Sequence, residues 1–142
     1  MRRAALALCL VAVAGCGSSG GDKKTYLKAG NDICNAYQND IAKLGQPEAL
    51  SQIAPYLAKA MPILERAVAK LEKLDPPSDL SDGYKKFRDA ARATVDRATR
   101  LRNAAAAGDP AEVKALLAEA AKSSASREAL AKSAGLEACA QL

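Results

Sequence analysis

Apolar residues recur at steps of three and four along four segments of this chain, and glycine or proline separates each segment from the next. Such steps place the apolar side chains on one face of an α-helix. Aromatic residues make up only 4% of the chain, whereas Ala, Leu, Lys and Glu are abundant, which disfavours a β-sheet. The pattern therefore predicts an all-α protein built from four amphipathic helices.

The second segment carries one apolar stripe from Leu50 to Leu74, and two prolines interrupt it. An interior proline removes a backbone hydrogen bond and commonly kinks or breaks a helix. Two interpretations follow, a single kinked helix or a short helix over 47–53 followed by a longer one. The stripe keeps its phase across Pro55 and Pro62, which favours the kinked helix.

Short polar residues and glycines mark the ends of the first and third helices. The first is predicted over 25–44 with Gly45 as its stop, and the third ends at Gly108. A short polar side chain caps a helix by accepting a hydrogen bond from an amide of the first turn. The residues able to do this for the two helices are Asp22, Thr25, Ser78, Asp79 and Ser81.

The fourth helix has the clearest start and stop signals. Asp109 can accept from the Glu112 amide while the Glu112 side chain reaches back, and Pro110 lacks the amide hydrogen that would be left unpaired. Gly135 followed by Leu136 is typical of a left-handed helix cap with its hydrophobic contact. A helix from Pro110 to about Ala134 is therefore expected.

Short connections between helices predict antiparallel neighbours, and so an up-down-up-down four-helix bundle. In that topology the end of the fourth helix lies beside the start of the first. Cys34 and Cys139 lie near these two ends, and if the chain is exported, an oxidising compartment would favour a disulfide between them. Free thiols or a metal pair are the alternatives, although two ligands alone make a poor zinc site. The disulfide would tie the carboxyl-terminal tail to the first helix.

The amino terminus has the pattern of a processing signal. Two arginines precede an apolar run over 4–14, which is shorter than the roughly 20 residues that a membrane-spanning helix needs. A basic start followed by a short apolar run is typical of a secretory signal peptide. The run ends in Val13-Ala14-Gly15-Cys16, which resembles the lipobox of bacterial lipoproteins. An ordinary secretory signal with an incidental Cys16 is the alternative.

The lipobox resemblance implies cleavage before Cys16 and fatty-acyl chains, of the palmitate type, on that cysteine. We therefore expect three parts: a cleaved signal peptide (1–15), a lipidated cysteine with a flexible Gly/Ser tether (16–22), and the bundle (23–142). The mature protein would be held by its lipid on the extracytoplasmic face of a cell membrane. Its mild positive charge, spread along the chain, gives no reason to expect nucleic-acid binding.

Composition excludes several kinds of chemistry. The chain contains no histidine, which removes Ser-His-Asp and Cys-His nucleophile systems and histidine-ligated metal or haem. The sequence also lacks the Cys-x-x-Cys-His motif of covalent haem attachment. We therefore expect no catalytic residues, no metal and no cofactor, and a protein that is not an enzyme.

Two clusters are candidate functional residues. Arg127 interrupts the apolar side of the fourth helix, and a cation facing a core needs a carboxylate, which Asp32 or Asp40 of the first helix could supply. Otherwise the fourth helix rotates and Arg127 extends to water. The third helix carries a basic surface, interpreted either as a solvated face with ion pairs four residues apart, such as Arg92 with Asp96, or as a surface for anionic headgroups or cell-wall polymer. Its residues are Lys85, Arg88, Arg92 and Arg100.

Four motifs resemble small helical lipoproteins of actinobacteria: Asn31-Asp32-Ile33-Cys34, Leu74-Asp75-Pro76-Pro77, Ala107-Gly108-Asp109 and Gly135-Leu136-Glu137-Ala138-Cys139. The resemblance implies location and fold but no activity.

The sequence itself leaves three hypotheses for function. The first is a non-enzymatic envelope protein that is structural or binds a partner or a small ligand. The second is a ligand-binding or sensor bundle with a polar site near Arg127, and the third is an enzyme that uses carboxylates such as Asp32 or Asp40. A closed core would favour the first hypothesis, whereas an exposed apolar groove would indicate a partner helix.

Overall fold

A computed structural model describes residues 21–141, which form helices and contain no strand. The predicted signal peptide and Cys16 lie outside the described residues, as does the tether up to Gly20. The α-helices are α1 (Lys23–Ala42), α2 (Ile53–Leu71), α3 (Ser81–Ala106) and α4 (Pro110–Ser133). Short 3₁₀ turns cover Leu50–Gln52, Ser78–Leu80 and Glu137–Gln141.

Helices that follow one another in the chain pack against each other, and the tail contacts both α1 and α4. Two hydrogen bonds hold the tail on α1: the Ala138 amide donates to Asn31 Oδ1 at 2.8 Å, and Gln38 Nε2 donates to the Ala138 carbonyl at 3.0 Å. Leu136, just before the tail, is completely buried. The four-helix bundle with its tail tied to the first helix is therefore confirmed.

The disulfide between Cys34 and Cys139 forms as expected. It joins residues 105 positions apart, with a Cα–Cα distance of 5.1 Å, and both cysteines are buried. Around it lies the larger of two hydrophobic clusters, which we call the disulfide core. Its other members are Tyr26, Leu71, Tyr84, Phe87, Ala131, Ala134 and Leu136.

The second cluster, which we call the distal core, lies toward the other end of the bundle. It consists of Ile53, Leu57, Ala104, Val113 and Leu116. Every one of these residues belongs to α2, α3 or α4, and none to α1.

The second helix agrees with the single-helix interpretation of the proline-containing stripe in its continuity but not in its length. It runs without a break through Pro55 and Pro62, but it begins only at Ile53 and ends at Leu71. Leu50 belongs to a 3₁₀ turn and Leu74 to the turn after the helix. Pro55 lies in the first helical turn, where an amide hydrogen would have no intrahelical partner. The periodic spacing of apolar residues therefore continues beyond both ends of the helix.

The caps of α1 and α4 follow the predictions in most respects. Asp22 accepts from the Thr25 amide at 2.8 Å. Asp109 accepts from the amides of Ala111 and Glu112 at 3.1 and 3.0 Å. Gly135 has φ +72°, as the left-handed cap requires.

Three predicted helix ends differ from the structure. The Glu112 side chain does not reach back to its cap, because its carboxylate lies 3.3 Å from Arg100 on α3. The third helix has no side-chain cap and continues directly from the Ser78–Leu80 turn. The first helix ends at Ala42, two residues before the predicted Leu44.

Candidate functional site

A cavity of about 160 Å³ lies beside the disulfide and is lined by all four helices and the tail. Its walls are mainly apolar, with the largest side chains contributed by Leu64, Val68, Leu71 and Phe87. Three alanines complete the apolar wall where larger side chains would fill the space: Ala67, Ala90 and Ala91. Because protein interiors are otherwise close-packed, this space is a candidate binding site.

The same cavity has a small polar side. Tyr37 of α1, Thr94 of α3 and Arg127 of α4 contribute the polar side chains that line it. The Thr94 hydroxyl donates to the Ala90 carbonyl of its own helix at 3.0 Å, so its hydrogen is already used. The phenol and the guanidinium therefore carry the donors available to a bound molecule.

Arg127 is only partly buried, and Nη1 donates to Ser123 Oγ at 3.1 Å, one turn earlier on α4. Burial holds the pKa of Arg127 below its ordinary value, and the nearby positive charge of Arg97 acts in the same direction. An arginine is nonetheless always protonated in proteins. The cavity is therefore lined by one permanent positive charge.

Tyr37 is half-buried beside this charge. Burial raises the pKa of the Tyr37 hydroxyl most, Tyr56 adds to the rise, and Arg127 opposes it. The phenol is therefore neutral near pH 7 and keeps its proton as a hydrogen-bond donor.

The predicted carboxylate partners of Arg127 lie elsewhere. Asp32 pairs with Lys28 of the same helix at 2.6 Å, and Asp40 pairs at 2.9 Å with Lys43, which directly follows α1. The Lys43 hydrogen bond holds the pKa of Asp40 below its usual value. Within residues 21–141, no carboxylate forms an ion pair with Arg127. A lysine one turn away satisfies each aspartate, so the expected buried pair does not form.

Glu119 is the charged residue near this site that sequence reasoning missed. It accepts from Arg97 Nε at 2.9 Å and lies 3.8 Å from Arg100 Nη1, so it links α4 to α3. Arg97 is mostly buried, with 15% of its side chain exposed. The sequence shows only that α4 carries a carboxylate at this position. Whether that carboxylate reaches α3 depends on how the two helices pack.

The predicted basic surface of α3 is mostly paired with acids. Arg92 lies 2.6 Å from Glu72, which directly follows α2, and not beside Asp96 as the spacing suggested. Arg100 pairs with two glutamates of α4, Glu112 and Glu119. Arg88 Nε is 3.9 Å from Asp89 Oδ1. Pairing with acids thus uses much of the positive charge that one of the two interpretations reserved for anionic headgroups or polymer. Lys85 remains exposed.

An open apolar groove lies at the opposite end of the bundle, beside the distal core. Leu50 and Leu117 line it and are 56% and 44% exposed. Within the described residues no ion pair spans this groove, and Glu48 is the one charged side chain that lines it. It is distinct from the cavity beside the disulfide, with which it shares no lining residue.

Residues 21–141 contain no grouping of three or more acidic or cysteine side chains arranged to hold a metal ion. In the same part of the chain, no helix has the length and apolar character required to cross a membrane. No family model matches the sequence, and comparison with curated proteins and with solved structures gives no match.

Proposed function

We propose that this chain is a lipid-anchored extracytoplasmic binding protein, without enzymatic activity, whose helical domain takes up a small ligand. The observation that carries the proposal is the apolar cavity beside the disulfide, lined by one arginine. The second hypothesis from the sequence required a polar site near Arg127 inside the bundle. A cavity at that position supports it over a purely structural envelope protein, whose core would be closed.

The size and the lining of the cavity fit a small molecule better than a peptide. Its volume of about 160 Å³ is close to that of an engineered apolar cavity of about 150 Å³ that binds benzene. A mainly apolar wall with a few polar groups is the usual composition of small-ligand sites. The sequence supports the location, since the lipobox cysteine and the tether directly precede the domain.

Filling the cavity tests binding. In a titration with benzene followed by methyl NMR, the Leu64 and Val68 signals of the unchanged domain should shift in a saturable manner. Ala91→Leu, at a position lining the cavity, should abolish these shifts. Ala93→Leu is the matched control, because Ala93 is exposed on the same helix. Equal shifts in both variants would show that benzene binds elsewhere and would overturn the proposal.

Membrane fractionation tests the anchor. The unchanged protein should stay with membranes after a high-salt wash, and Cys16→Ser should move it to the aqueous fraction. Ser18→Ala, two residues further along the tether, should leave the partition unchanged. Continued membrane retention of Cys16→Ser would overturn the lipid anchor.

A further inference from the structure

The guanidinium of Arg127 has donors that the described residues do not use. Its one hydrogen bond goes to Ser123, a neutral hydroxyl of the same helix. An arginine carries five N–H donors arranged as a fork that matches a carboxylate. A positive charge that lines an apolar cavity without a carboxylate partner thus provides both the charge and the geometry for a small anion.

The surroundings set how much negative charge the site accepts. Arg97 is the neighbouring guanidinium, but Glu119 already binds it at 2.9 Å. One uncompensated positive charge is left at the cavity, on Arg127. A singly charged carboxylate would balance this charge, whereas a doubly charged phosphate would leave a negative charge next to apolar walls.

The neutral phenol of Tyr37 supplies a second donor. Tyr37 lines the cavity together with Arg127, although the two residues come from different helices. Among residues 21–141 the hydroxyls of Tyr26 and Tyr84 donate to backbone carbonyls, whereas the Tyr37 hydroxyl forms no such bond. A carboxylate oxygen bound by Arg127 could accept from this hydroxyl as well.

We propose that the cavity binds a small apolar monocarboxylic acid, with its carboxylate on Arg127 and Tyr37 and its body between Leu64, Val68 and Phe87. The volume limits the body to about the size of a benzene ring. An aromatic acid and a short fatty acid share this chemistry. The inference rests on the proposed function, because it names the ligand class of the same cavity.

Calorimetric titration with three probes tests the ligand class. Phenylacetate has both the ring and the carboxylate, 2-phenylethanol has the ring with a neutral end, and acetate lacks the ring. Phenylacetate should bind about tenfold more tightly than 2-phenylethanol, because charged hydrogen bonds contribute more than neutral ones. Acetate should bind more weakly than phenylacetate by a similar factor. Hexanoate, as a short fatty acid, should also bind more tightly than 1-hexanol.

Charge variants locate the anion. Arg127→Gln should remove the preference for phenylacetate and leave the binding of 2-phenylethanol unchanged, which also shows that the variant folds. Lys122→Gln is the matched control, since it removes one positive charge from an exposed position of the same helix. Tyr37→Phe should weaken phenylacetate several-fold and leave the alcohol unaffected.

The outcomes separate this inference from the proposed function. Equal affinity for phenylacetate and 2-phenylethanol, or a preference that survives Arg127→Gln, would overturn the carboxylate inference and leave the cavity a ligand site. Failure of every probe to bind the unchanged protein would overturn both. A preference lost in Lys122→Gln as well would show general attraction of anions and would overturn the assignment to Arg127.

Discussion

The Tyr26 hydroxyl donates to the Ala134 carbonyl at 2.9 Å, joining the first turn of α1 to the end of α4 across 108 residues of chain. The Tyr26 ring also meets the Tyr84 ring edge-on, with a centroid distance of 5.6 Å. The Tyr84 hydroxyl in turn donates to the Leu71 carbonyl at the end of α2. Two tyrosines thus connect all four helices at the end of the bundle that holds the disulfide.

These buried tyrosines should make stability depend on alkaline pH. Burial raises the pKa of Tyr26 and of Tyr84 above the ordinary value of about 10. The folded protein therefore keeps protons that the unfolded chain loses. The contribution of these tyrosines to the free energy of unfolding should be constant below about pH 10 and fall above it. Urea unfolding between about pH 8 and pH 11 measures this effect.

Tyr26→Phe separates this effect from the titration of other groups. The variant loses a hydrogen bond worth about 1 kcal/mol near pH 8, and its free energy of unfolding should then fall less steeply than that of the unchanged protein. If the free energies of unfolding of the two proteins fell in parallel with rising pH, Tyr26 would not contribute to the loss of stability at alkaline pH.

Removing the disulfide should destabilise the fold strongly. The bond closes a loop between residues 105 positions apart, for which the chain-entropy model gives about 4.7 kcal/mol as an upper value. We expect the double variant Cys34→Ala, Cys139→Ala to lose about 2–4 kcal/mol of unfolding free energy in denaturant. Reductant should destabilise the unchanged protein but not the variant. Equal stability of the two proteins under oxidising conditions would contradict the prediction.

Replacing either of two consecutive leucines of α4 by alanine should have very different effects on stability. Leu116 is 1% exposed in the distal core, whereas Leu117 is 44% exposed. Leu116→Ala removes a buried side chain and should cost about 2–5 kcal/mol. Leu117→Ala should change stability by less than about 1 kcal/mol, since most of its side chain lies against solvent or an open groove. If both variants lost a similar free energy of unfolding in chemical denaturation, α4 would turn a different face toward the core from the one described.

Gly83 should not tolerate alanine, although it lies in a helix. A Cβ added there would lie 2.3 Å from the Ser133 carbonyl oxygen, at the contact between the start of α3 and the end of α4. Alanine would ordinarily stabilise a helix by about 1 kcal/mol relative to glycine. Here we expect a net loss of about 1–3 kcal/mol, because backbone atoms must move.

Lys86→Ala provides the control for this contact, since Lys86 is exposed on the same helix. Lys86→Ala should change the free energy of unfolding by less than about 0.5 kcal/mol. A stabilised Gly83→Ala protein in calorimetry would show that the two helices are not in contact at this point.

Much of the fold could be predicted from local signals. The Asp109 cap and the Gly135-Leu136 stop depend on the residues of one turn, and both form as expected. The Leu136 amide donates to the Ala131 carbonyl at 2.9 Å, the bond typical of that stop. The pairing of Cys34 with Cys139 also followed from the sequence, because only two cysteines remain in the expected mature domain outside Cys16.

The partners of charged residues could not be predicted in the same way. Sequence spacing suggested that Arg92 pairs with Asp96 on its own helix. The expected bundle topology suggested that Asp32 or Asp40 pairs with Arg127. In the structure Arg92 pairs with Glu72, at the end of α2. Spacing along one helix cannot reveal this, because long charged side chains reach whichever carboxylate the neighbouring helix brings within a few ångströms.

By itself, the sequence determined the helical class, the number of helices, most of their caps and the bridge from the first helix to the tail. These features follow from periodicity, backbone preferences and the scarcity of cysteine. Only the tertiary structure decided where α2 begins and ends, which acids neutralise α3, and that Arg127 lines a cavity without a carboxylate partner. Such properties depend on distances between helices and on the space that alanines leave between them, which no single segment encodes.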